Sequence, residues 1–140
     1  MTTQLPNITV ESTINAPIET VWQCWTEPKH IVNWNNASDD WHTTEATNDL
    51  QIGGKFSSIM AAKDGSFSFD FWGIYDAIET HKTLAYTLGD GRDVTISFSK
   101  NGNQTTVTEV FEPEDENTIE LQKGGWQAIL DNFKKYVETL

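Results

Sequence analysis

From residue 41 to residue 112 the sequence keeps a period of two, in six runs rich in Thr, Phe, Ile and Val (41–50, 55–62, 67–78, 82–88, 92–100 and 104–112). Gly53-Gly54, Asp64-Gly65, residues 79–81, Gly89-Asp90-Gly91 and Asn101-Gly102 separate them, and these are turn chemistries. Links this short cannot carry a crossover between parallel strands, so the block must fold as an antiparallel meander. Alternation is clearest at Val94, Ile96 and Phe98 and at Phe67, Phe69 and Phe71, each set opposed by polar residues. Trp72 and Ile74 break it, and Gly73 between them marks either a bulge or a close backbone approach. The facing of Tyr75 stays open.

The flanks have a different period. Residues 8–14 form a half-buried strand with Ile8, Val10 and Ile14 on one face. Pro17 suits the first turn of a helix, and Ile18, Val21, Trp22 and Trp25 then recur every three or four residues until Pro28 ends the pattern. A second short helix over 28–34 presents Ile31, Trp34 and Val32 inward. At the other end Trp126, Ile129, Leu130, Phe133, Val137 and Leu140 mark one face of a long amphipathic helix. Asn117 with Glu120 forms a candidate capping box, placing the helix start near Asn117. Gly124-Gly125 either lies within the helix, permitting a kink or a close approach, or precedes a helix that begins at Trp126.

One strand, two short helices, six strands and one long helix imply an α+β fold. A curved seven-stranded antiparallel sheet needs its apolar concave face covered, and the terminal helix, some 23 residues or about 34 Å, is the element long enough to do so. It cannot touch every strand, so a space is expected beneath it. At 140 residues the chain has the size of a single domain, residues 1–140, that buries roughly 70% of its unfolded surface.

The same residues carry a resemblance. Asn15-Ala-Pro17, Val21-Trp22, Thr26 with Pro28, and Trp34 resemble the opening of the SRPBCC or START-like superfamily. Asp49 with Gly53-Gly54-Lys55-Phe56, Asp64-Gly65, Gly73, Leu84 with Tyr86, Val94 to Phe98, Thr106-Val107-Thr108 and Gly125-Trp126 resemble its branch called activator of Hsp90 ATPase homologue 1-like (AHSA1-like). The likeness runs nearly end to end. It implies the helix-grip (START-like, Bet v 1-like) fold and an internal cavity that in many relatives takes apolar or amphipathic small molecules. The branch name comes from a cochaperone domain that engages Hsp90, so a chaperone is a further implied partner.

Charge and composition exclude several functions. With 21 acidic against nine basic residues the formal charge is −12, which repels nucleic-acid phosphates and anionic lipid surfaces. One Cys forms no intramolecular disulfide, the first residues lack a leader pattern, and no run approaches the length of a membrane helix; the expectation is a soluble, cytoplasmic domain. His30, His42 and His81 are scattered, which argues against a metal site, and Cys24 reads as a packing residue of the first helix. No phosphate-cradling, dinucleotide or nucleophile-elbow motif occurs, and no cofactor and no catalytic residue is assigned. The stretch from Glu109 to Glu120 holds six carboxylates and no base, and reads as a solvated loop or as a docking surface for a basic partner.

The aromatic residues carry the functional expectation. Trp34, Trp41, Phe56, Phe69, Phe71, Tyr86, Trp126 and Phe133, with Met60 and Leu130, come from elements that border the expected space and are assigned as cavity lining for an apolar or aromatic ligand. The same rings could instead fill the core. Of the strand carboxylates Glu45, Asp70 and Glu109, the last faces inward if Val107 and Phe111 do, and would then be a buried polar group. The main reading is non-catalytic binding of a small lipid-like or aromatic molecule. The alternatives are a module that stimulates an Hsp90-type ATPase, and an enzyme using a cavity carboxylate.

Overall fold

The computed structural model describes residues 6–140, so 1–5, most of the stretch read for a leader, lie outside the described residues. The chain runs β1 (Ile8–Ile14), α1 (Ile18–Thr26), α2 (Pro28–Trp34), β2 (Trp41–Asn48), β3 (Lys55–Ala62), β4 (Ser68–Glu79), β5 (Thr83–Leu88), β6 (Asp93–Asn101), β7 (Gln104–Phe111) and α3 (Ile119–Glu138). Seven antiparallel strands form one curled sheet in the order β1-β7-β6-β5-β4-β3-β2. The helix-grip architecture is as expected, and the strand limits fall within one or two residues of the periodic runs.

Alternation decides which face is buried. Val94, Ile96 and Phe98 on β6, and Leu84, Tyr86 and Leu88 on β5, all turn to the concave side. On β7 the same parity buries Thr105, Val107, Glu109 and Phe111. Glu109 therefore faces inward. In β4 the bulge falls between Tyr75 and Ala77, not at Gly73. Gly73 is instead a close approach, because a Cβ there would stand 2.8 Å from the Phe56 ring and 2.9 Å from the Thr87 carbonyl oxygen. Tyr75 is consequently held inward and buried.

A single proline separates the two short helices. Pro28 keeps Glu27 in an extended conformation, which ends α1, and its own fixed φ starts α2. Pro17 occupies the capping position of α1, one place before that expected. The cap of α3 is also shifted by one residue: Thr118, not Asn117, accepts the Leu121 amide at 3.1 Å. The buried Gln122 side chain holds the preceding acidic loop, donating to the carbonyls of Asn117 (2.9 Å) and Glu114 (3.1 Å) and accepting from the Glu114 amide (2.8 Å). Helix α3 continues through Gly124 and Gly125 without interruption, and neither approaches other atoms closely enough to require a glycine.

Cover of the concave face is shared, where one spanning helix was expected. Helix α3 packs along β1, with Gln127 donating to the Glu11 carbonyl (3.2 Å) and Lys134 to that of Thr13 (2.8 Å). Helix α2 packs on β2 at the opposite edge. The two halves of the roof join through aromatic contact, where Phe133 is wedged between Trp25 and Trp34 with ring centroids at 4.8 and 4.7 Å. Phe133 is 0% exposed, so Phe133→Ala removes the wedge and should lower the unfolding free energy by about 3–5 kcal/mol. A urea midpoint unchanged from wild type would refute that role.

Candidate functional site

Between the two halves of the roof and the concave face of strands β2 to β5 and β7 lies a cavity of about 220 Å³. For scale, a dry cavity of roughly 150 Å³ suffices for benzene. Its roof is Trp25 of α1, Ile31 and Trp34 of α2, the following Asn35, and Trp126 and Ile129 of α3. Its floor is Thr47 and Asn48 of β2, Phe56, Ser58 and Met60 of β3, Phe69, Phe71 and Tyr75 of β4, Tyr86 of β5 and Glu109 of β7.

The rings brace one another. Phe56 sits edge-on to Tyr86 at 4.6 Å and tilted against Tyr75 at 5.5 Å, while Trp126 stacks flat on Phe111 at 3.8 Å and meets Phe71 at 6.1 Å. Packed aromatic pairs of this kind lose little further freedom when a ligand enters. Two polar floor residues are already committed. The Tyr75 hydroxyl donates to Asn48 Oδ1 at 2.7 Å, and Asn48 Nδ2 donates to the Thr26 carbonyl at 2.6 Å. Burial pushes the Tyr75 phenol up to about 12 against the weaker, opposing effect of the Asn48 hydrogen bond. Tyr86 rises well above its ordinary value, first by burial and then by the charges of Glu109 and Tyr75, so it stays a neutral hydroxyl.

Of the residues assigned to the lining from sequence, Trp34, Phe56, Met60, Phe69, Phe71, Tyr86 and Trp126 border the cavity, as does Glu109. Three do not. Leu130 and Phe133 are wholly buried behind the wall, where they support it. Trp41 starts the edge strand β2, and its ring meets Phe67 and Phe69 at 6.1 and 6.0 Å in an aromatic cluster at the sheet's end. Phe67 is 60% exposed and Phe69 42%, so this cluster faces solvent and only Phe69 also reaches the cavity. Trp25, Ile31 and Ile129 were legible as inward-facing helix residues but not as lining. The pairing of Asn48 with Tyr75 had no signal, because it joins residues on separate strands.

The remaining candidates stand elsewhere. Asp70 is exposed and accepts from the Ser57 hydroxyl, and Glu45 is exposed. Cys24 is buried in α1, its thiol pushed up by burial and then by Glu27, which keeps it protonated and a poor nucleophile. His30 Nδ1 lies 2.7 Å from the Tyr136 hydroxyl, and His81 packs against Trp22. Among the described residues no three His, Cys, Asp or Glu side chains gather as a metal would need, and no helix is long and apolar enough to cross a membrane.

A curled antiparallel sheet gripping a terminal helix over an internal cavity defines the START-like, helix-grip class. Residues 15–138 match the family described as Activator of Hsp90 ATPase homolog 1-like protein, and the chain belongs to that family. Among solved structures it is similar to the AHSA1-like protein of Aeromonas hydrophila, at 46% identity over 95% of this chain and 92% of that one, with a TM-score of 0.89. A protein of Cytophaga hutchinsonii is 53% identical over the same shares, with a TM-score of 0.82. A protein of Nitrosomonas europaea, 17% identical with a TM-score of 0.81 over 96% of this chain and 95% of that one, shares the fold. No curated protein matches the chain.

Glu109 is the chemically distinctive group of the cavity. It is 5% exposed, its strand partners are Val10 and Ile96, and burial alone pushes its carboxyl up to about 8, with no hydrogen bond or cation acting against it. The group can therefore gain or lose a proton near neutral pH. Its folded pKa exceeds its unfolded one, so the folded state binds the extra proton between the two values. The favourable contribution is complete below the unfolded pKa, and stability falls as pH rises until the folded pKa is passed. Urea unfolding between about pH 5 and pH 9 should show Glu109→Gln gaining on wild type by a few kcal/mol as pH rises. A constant difference between the two proteins across that range would contradict a buried, unpaired carboxyl.

Proposed function

We propose that this protein binds a small apolar or aromatic molecule in the cavity between its helices and the concave sheet, without transforming it. The observation that supports the reading best is the cavity itself: mutually braced rings in its roof and floor leave unfilled space where large side chains could have closed it. Membership of a family built on a helix-grip fold agrees with that reading. Binding draws on burial of ligand surface, at roughly 25 cal/mol per Å² before ordering costs, and rigid walls keep those costs low.

Ser58 offers a direct test. It is buried on β3 and borders the space, so a phenyl ring in its place would occupy the volume meant for ligand. The neutral fluorophore N-phenyl-1-naphthylamine should bind wild type with one-to-one stoichiometry, and Ser58→Phe should lose that binding while keeping its circular dichroism spectrum. Equal binding by the two proteins, or none by wild type, would count against the cavity as the site.

A second reading, stimulation of an Hsp90-type ATPase, is favoured by the family's description and by the acidic stretch before α3. It predicts salt-sensitive capture of such an ATPase with a change in its rate of hydrolysis. An unchanged rate at low salt would dismiss it.

A further inference from the structure

Glu109 is placed where an apolar side chain would have packed without penalty. Along β7 its same-face neighbours are Val107 and Phe111, and across the ladder it faces Val10 of β1 and Ile96 of β6, all of them buried. Tyr86 of β5 is the titratable neighbour close enough to feel its charge, and Tyr75 of β4, whose hydroxyl is already given to Asn48, borders the same cavity. From α1, α2 and α3 the cavity receives Trp25, Ile31, Trp34, Trp126 and Ile129, and among the described residues no Lys, Arg or His lines it. A carboxyl thus opens into an aromatic chamber that supplies no cation to balance it. Leaving such a group unpaired is costly, and an incoming cation that pairs with it relieves that cost.

We propose that the ligand is a cationic amphiphile, an apolar or aromatic body bearing one protonated amine, with Glu109 anchoring the amine by a charge-assisted hydrogen bond. The inference deepens the ligand-binding reading and rests on it. Two features discriminate in favour of an amine. The rings of Trp126, Tyr86 and Phe56 border the site, and aromatic faces attract a desolvated cation. A ligand carboxylate would meet like charge once Glu109 ionises, and a hydrocarbon would leave the carboxyl unpaired. When the ammonium enters below about pH 8, the neutral Glu109 carboxyl releases its proton to solvent and pairs as carboxylate. Uptake is then coupled to proton release.

The test uses three probes of one shape, 4-phenylbutylamine, n-butylbenzene and 4-phenylbutyrate, titrated calorimetrically into wild type and Glu109→Gln at neutral pH. Wild type should bind the amine at least about tenfold more tightly than the hydrocarbon, and the carboxylate should lose affinity as the pH is raised past about 8. Glu109→Gln should bring the amine down to the hydrocarbon's affinity and leave the hydrocarbon within about twofold of wild type. The pH profile of wild type gives a check that needs no variant: amine affinity should rise roughly tenfold per unit up to about pH 8 and then level, with proton release below that point. An amine bound no better than the hydrocarbon, a preference that survives Glu109→Gln, a flat pH profile, or tightest binding of the carboxylate overturns the amine anchor and leaves ligand binding standing. Failure of all three probes to bind wild type overturns the ligand-binding reading, and this inference with it.

Discussion

The structure depends on how a curled sheet's concave face is kept from water. Seven strands present an apolar surface wider than one helix can cover, and the chain divides the task between its two ends. Helix α3 lies along β1, and α2 lies on β2. Helix α1 sets Trp22 and Trp25 against Phe98 of β6, and Trp126 of α3 reaches Phe111 of β7 and Phe71 of β4, so the three helices together roof the middle strands. The cavity is what that division leaves.

Aromatic side chains play two distinct parts in that arrangement. Phe133, Trp25 and Trp34 tie the covers together by edge-to-face and tilted contacts, with ring centroids 4.7 to 4.9 Å apart. Trp34 is fixed further by its indole N–H, which donates to the Cys24 carbonyl at 2.9 Å. Phe56, Phe71, Tyr86 and Trp126 instead border the cavity. The first group holds the roof together and the second lines the cavity, although Trp25 and Trp34 belong to both.

Most of the fold was legible because it rests on local signals. Period-two runs, glycine turns and Pro28 act within a few residues of themselves, and they located every element to within a residue or two. The misses have nonlocal causes. The cap of α3 moved to Thr118 because the chain before it is held by the Gln122 side chain. Leu130 and Phe133 share the inward face of α3 with Trp126, but which of them meets the cavity depends on where α1 and α2 lie. Trp41 failed as a lining residue because its strand begins at the sheet's end, beside Phe67 and Phe69. Glu109 was readable only conditionally, since alternation gives parity and the packing of neighbouring strands decides which parity is buried.

The buried carboxyl reports directly on how dry and how unpaired the cavity is. The most direct measurement is an NMR titration following the side-chain carboxyl carbon of Glu109. A midpoint close to 8 is predicted for the free protein. A midpoint near the ordinary glutamate value, about 4.3, would mean a wet or internally paired carboxyl and would contradict the account.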